Sequence, residues 1–127
     1  MIDSSALMAI LQDEPERAAF VRKLARDPVR LLSAANWLEV AILIDDRYGE
    51  AGARDLKLLL VEAAVEIVPV TAAQAELART AYRRFGRGNH PAKLNYGDCF
   101  AYALAQETGE PLLFKGDDFG QTDIAAA

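Results

Sequence analysis

NYGDCFAYALAQETGEPLLFKGDDF, residues 95–119, changes element type twice within one short stretch. Asn95 offers a capping oxygen three residues ahead of Asp98, and the apolar residues that follow predict a helix from Asn95 to Glu107. Gly109-Glu110-Pro111 breaks it, and Pro111 to Phe114 reads as a short apolar strand ending in Lys-Gly-Asp-Asp-Phe. Helix followed by a short, fully apolar strand is the pattern of a parallel sheet, whose strands are buried on both faces. Acids at a helix start and just past a strand end lie where such sheets build their sites.

The same alternation continues outward. Met1 to Asp3 predicts a very short central strand, after which Ser4 and Ser5 cap a helix from Ala6 to Gln12. Asp13-Glu14-Pro15-Glu16 starts a second helix, with Ala18, Ala19, Val21, Leu24 and Ala25 on its apolar stripe and Asp27-Pro28 at its end. Val29 to Ser33 reads as a strand, Ala35 to Tyr48 as an apolar helix stopped by Gly49, and Ala51 to Ala64 as another helix. Glu66 to Val70 is β-branched and short, hence a strand, and Thr71 caps a helix from Ala72 to Phe85. Gly86 to Lys93 reads as a mobile polar loop, and Ile124 to Ala127 as a possible edge strand. The chain is thus expected to be one α/β domain over residues 1–127, with a short parallel central sheet and helices on both faces.

Composition narrows the class. A chain of 127 residues, 52% hydrophobic and 26% charged, can bury about two-thirds of its unfolded surface in one core. No apolar run approaches the ~20 residues of a membrane helix, and the N-terminus lacks the basic region of a signal peptide. The single cysteine, Cys99, excludes an internal disulfide, suits a reducing, cytoplasmic setting and reads as a packed core residue. The net charge of −5 argues against a nucleic-acid ligand, but its distribution argues the other way. Between Glu76 and Asp98 there is no acid, while Arg79, Arg83, Arg84, Arg87, His90 and Lys93 fall in that interval. Such an arm attracts a polyanion to one place on an acidic body.

Acids stand at four positions in apolar or strand-end settings. Asp3 follows Met-Ile, Glu39 lies inside the run Trp37 to Ile44, Asp98 opens the late helix, and the Asp117-Asp118 pair follows the last strand. Each has a plainer use as cap, polar stripe or turn residue, with Asn36 and Asp46 at helical spacing from Glu39. The helix N-terminus is expected to depress the pKa of Asp98, and Gly97 before it allows a close approach to the backbone. Gathered together, these carboxylates cannot all stay ionised without a cation. Oxygen ligands without nearby His or Cys select Mg²⁺ or Mn²⁺, which activate water and stabilise charge on a phosphoryl oxygen.

Four motifs carry a resemblance that spans the chain: Met-Ile-Asp-Ser-Ser-Ala-Leu at the start, Trp-Leu-Glu at 37–39, Leu-Asn-Tyr-Gly-Asp-Cys at 94–99, and Leu-Leu-Phe-Lys-Gly-Asp-Asp-Phe with a following Thr-Asp-Ile. With these the chain resembles the PIN-domain ribonucleases, in particular the VapC-type toxins of toxin–antitoxin pairs. The resemblance implies an endoribonuclease whose Mg²⁺ is bound by Asp3, Asp98 and Glu39. The fourth acid is matched best by Asp118, with Asp117 as second choice, and Ser5 stands where the family carries a small hydroxyl residue beside the metal. It further implies cleavage of structured RNA such as tRNA or ribosomal RNA, a homodimer, and a cognate antitoxin that docks on the helices between Asn36 and Ala64 and occludes the site. Arg83, Arg84, Arg87 and Lys93 are the expected RNA-holding residues. Two other readings fit the same residues: a catalytically silent interaction module of the same fold, and a metal-dependent hydrolase of small phosphate esters.

Overall fold

The computed structural model describes all residues from Met1 to Ala127. Its helices are α1 (Ser4–Leu11), α2 (Arg17–Arg26), α3 (Ala34–Glu62), α4 (Ala72–Phe85) and α5 (Tyr96–Thr108), and its strands are β1 (Leu31–Ser33) and β2 (Glu66–Val68). β1 and β2 pair in parallel, with Leu31 opposite Glu66 and Ser33 opposite Val68. The N-terminus extends this ladder: the Ile2 N–H donates to the Leu31 carbonyl, and Ile2 bridges in parallel to Leu113. Leu112 in turn bridges to Ala126, so the C-terminal residues supply the expected edge. The strand expected at Val29 starts later because the Val29 N–H is turned onto the Asp27 carboxylate. The 111–114 segment pairs only through single residues, since Asp3 leaves the ladder at once to start α1.

Alternation along these segments places helices on both faces. Met1, Leu112 and Phe114 pack with α4 and α5 residues such as Ala81, Phe85 and Leu104. Ile2, Leu32 and Leu113 pack instead with Leu7, Phe20, Val40 and Leu60 from α1, α2 and α3. α3 is continuous by hydrogen bonding but broken at Gly49, whose φ of 62° and ψ of −147° leave the helical region, so the expected two helices are present. No helix is long and apolar enough to cross a membrane.

Two local expectations are corrected. Asp3, not Ser4 or Ser5, caps α1: its carboxylate accepts from the Ser5 N–H, and the two serines lie inside the helix. The loop from Gly86 to Lys93 is folded onto the core. Leu94 N–H donates to Phe85, Arg87 N–H donates to Leu94, and Ala92 and Leu94 are fully buried. Glycine and proline there set tight turns instead of slack.

Candidate active site

The strand ends at Asp3 and Phe114 meet the first two turns of α1, α3 and α5, with Ser4 bonded to Glu39, Asn36 to Gly97 and Lys115 to Ser5. Asp3 is almost wholly buried. Its Oδ2 accepts from the Ser5 N–H at 3.0 Å and from the Ser5 hydroxyl at 2.6 Å, while its Oδ1 is buried without a hydrogen-bond partner. Ser5 Oγ also accepts the Lys115 N–H at 3.0 Å. One hydroxyl therefore ties the Lys-Gly-Asp-Asp loop to Asp3. The Lys115 ammonium anchors the same loop a second time, on Glu14 at 2.6 Å.

Glu39 projects from the second turn of α3, whose start Ser33 caps through the Ala35 N–H. The Ser4 hydroxyl donates to Glu39 Oε1. On its other side the carboxylate lies against Gly97: a Cβ built on Gly97 would stand 2.3 Å from Glu39 Oε2. The close approach that Gly97 was expected to allow is thus taken up by a carboxylate. Asn36, three residues earlier and fully buried, donates its amide to the Gly97 carbonyl at 2.9 Å. This bond clamps α3 to the first turn of α5. Sequence reasoning placed Asn36 only on a polar stripe; its helical spacing from Glu39 was the available signal.

Asp98 closes a capping box with Asn95: the Asp98 N–H donates to the Asn95 side chain at 2.9 Å, and the Asn95 N–H donates to Asp98 Oδ2 at 3.0 Å. The expected depression of its pKa is overturned. Burial foremost, then the charges of Asp3, Asp118 and Glu39, push Asp98 up to about 7, against the lowering hydrogen bond from Asn95. Burial also raises Asp3, helped by the charge of Glu39 and opposed by the bonds from Ser5. Asp3 and Asp98 are thus poorly solvated carboxyls that feel neighbouring like charges. Asp117 and Asp118 are both exposed, and Asp118 is the one whose charge reaches Asp98.

No three of these acids lie close enough to ligate one ion as their side chains stand. Asp3, Glu39 and Asp98 each spend an oxygen on a neighbouring donor. The donor set nevertheless suits a hard divalent cation, being oxygen only and including one buried, unpartnered carboxylate oxygen. Cys99, beside Asp98 in sequence, is buried and pushed up to about 11, first by burial and then by Asp98, which makes it an inert packed thiol. His90 is spent on its loop, its Nδ1 accepting the Ala92 N–H at 3.0 Å with its ring against Phe85. Among the basic residues, Arg83 and Arg84 occupy the last turn of α4, and Arg84 pairs with Asp123 at 3.4 Å. Lys93 is exposed, and Arg87 lines a groove between α4 and α5.

Comparison with known proteins gives this arrangement its class. The PIN domain family matches residues 1–125. The chain is 56% identical to Ribonuclease VapC of Mycolicibacterium smegmatis over 99% of this chain and 98% of that one. It is 54% identical to Ribonuclease VapC30 of Mycobacterium tuberculosis over 98% and 95%. Its fold is similar to the crystal structure of Mycobacterium tuberculosis VapC20, described as a sarcin-ricin loop cleaving toxin, with a TM-score of 0.79, 18% identity and coverage of 99% and 96%. The chain belongs to the VapC ribonucleases, the PIN-domain toxins of toxin–antitoxin systems.

Proposed function

We propose that this ribonuclease works with Mg²⁺, for which Mn²⁺ substitutes, held by Asp3, Glu39 and Asp98, with Asp118 as the fourth acid and Asp117 as a flanking charge. The observation that carries the reading is the buried, unpartnered Oδ1 of Asp3 beside Asp98, which burial, and after it the charges of Asp3, Asp118 and Glu39, push up to about 7. Asp3, Glu39 and Asp98 would hold the cation, which would offset the cost of gathering their charges and supply Lewis-acid polarisation of a phosphodiester oxygen and of water. Around it, Ser5 fixes the rotamer of Asp3, Ser4 steadies Glu39, and Asn36 keeps α5 at a set distance from α3. Arg83, Arg84, Arg87 and Lys93 hold RNA phosphates beside a pocket that would otherwise repel them. The family resemblance makes the substrate a structured RNA such as tRNA or ribosomal RNA.

The antitoxin docks on α3. Both halves of that helix expose apolar side chains, Trp37, Leu38 and Ile42 before Gly49 and Leu58 and Val61 after it. Between them runs a groove lined by Trp37, Ala41, Leu56 and Val61, a shape that suits the apolar face of a partner helix. A homodimer, as in the family, is the expected assembly. Calorimetric titration with Mn²⁺ tests the metal assignment. Wild type should bind in the presence of buffer alone, and Asp3→Asn should lose the heat. Absence of binding to the wild type would favour a silent interaction module.

A further inference from the structure

We propose that the groove between α4 and the first turns of α5 is a stacking subsite for an unpaired RNA base flanking the phosphate that is cut. This rests on the ribonuclease reading of the Asp98 site, which it extends to a substrate feature: an unpaired base at that position. The groove, of about 700 Å³, is lined by Arg79, Tyr82, Arg87, Asn95, Tyr96 and Phe100. No carboxylate lines it, on a chain whose net charge is −5.

Three observations point to a nucleobase. Tyr96 is 80% exposed, although it opens a buried helix and is followed directly by Gly97 and Asp98. Its ring is braced edge-on by Phe100, with centroids 4.9 Å apart at 83°, so it is held without being covered. Tyr82, also exposed, stands across the groove with its hydroxyl donating to the Arg87 carbonyl at 3.3 Å. Exposed, preorganised aromatic faces of this kind are platforms for bases in single-stranded nucleic acid. The charge matches as well. The four ion pairs of the chain use Arg17, Arg84 and Lys115, leaving the Arg79 and Arg87 guanidinium groups without an acidic partner. A base stacked on Tyr96 would bring its own phosphates past those two groups. Finally, the groove is continuous with the acids. Asn95 lines it and exchanges both capping bonds with Asp98. A nucleotide seated there is adjacent to the site where the backbone is cut.

The test is fluorescence anisotropy in chelator, so that no cleavage occurs. The probes are a labelled single-stranded 12-nucleotide RNA of mixed sequence and the same-length oligomer with abasic positions. The wild type should bind the base-bearing RNA more tightly than the abasic one. Tyr96→Ala should weaken the base-bearing RNA about tenfold and leave the abasic oligomer unchanged, while Tyr96→Phe restores binding. Arg79→Gln and Arg87→Gln should weaken both probes and flatten the salt dependence. Equal binding of both probes by the wild type, or unchanged binding by Tyr96→Ala, overturns the proposal. So does a Tyr96→Ala variant that changes oligomeric state in sedimentation while keeping its RNA affinity, which would assign the face to a second copy. Tyr96 is exposed, so the variants should keep the wild-type melting temperature. Cleavage of cellular RNA by the wild type separates the two levels: no cleavage removes the ribonuclease reading, whereas cleavage with unchanged Tyr96→Ala binding removes only the stacking subsite.

Discussion

Asp98→Asn separates what the acid does for the reaction from what it costs the fold. In the folded chain Asp98 sits at about 7, against an ordinary value of 3.8, with burial as the largest cause and the charges of Asp3, Asp118 and Glu39 adding to it. The sign follows from linkage. A carboxyl raised in the folded state binds more protons folded than unfolded, so stability is lost as pH rises from about 4 through about 7. The full shift corresponds to about 4 kcal/mol. Asp98 is partly exposed, and solvent screening reduces that to about 2 kcal/mol. An asparagine keeps an oxygen for the Asn95 N–H and carries no charge. In chelator at pH 8 the variant should therefore be more stable by about 2 kcal/mol, a rise of roughly 6–10 °C in melting temperature for a chain of this size. At pH 4 the two proteins should melt together. The same variant should cut no RNA at any pH. Thermal denaturation followed by circular dichroism from pH 4 to 8, with a gel assay of RNA cleavage, measures both. Parallel stability curves across that range would refute the electrostatic account, and wild-type cleavage by the variant would refute the role of Asp98.

Other outcomes follow from single contacts. Gly97→Ala puts a Cβ 2.3 Å from Glu39 Oε2 and must displace that carboxylate; the side chain can swing away, so melting should shift little, while cleavage falls at least about tenfold, the effect of ~1.4 kcal/mol on the barrier. Asn36→Ala removes a fully buried donor and orphans the Gly97 carbonyl, which should cost about 2 kcal/mol in urea denaturation and lower activity as α5 loosens. Val61→Glu introduces a charge on the most exposed large apolar side chain of α3, at 71% exposure; it should abolish co-purification with the antitoxin and leave cleavage by the isolated toxin intact.

Local chemistry was legible without a fold. Thr71 accepts the Gln74 N–H at the start of α4, Asn95 and Asp98 exchange capping bonds, and Gly49 breaks α3, each as the neighbouring residues predict. These features depend on groups within four residues of one another, where spacing along the chain equals spacing in space. Strand lengths were less legible. Whether Val29 belongs to β1 depends on whether its N–H meets a neighbouring strand or Asp27, and it meets Asp27. The positions of the acids were likewise visible as residues in unusual settings, and the family motifs joined them into one group.

By itself the sequence determined the alternation of helices and short apolar strands, the caps that start α4 and α5, and the unusual settings in which the acids stand. Only the tertiary structure decided what those acids experience. The Asn36 clamp spans 61 residues of sequence and the Ser5–Lys115 bond spans 110, and no local pattern encodes either. Asp98 shows the consequence. Its position at a helix start favours the charged form, but burial and three like charges brought in from Asp3, Glu39 and Asp118 outweigh that preference. Coulomb energy and desolvation depend on distance through space, which the chain acquires only on folding.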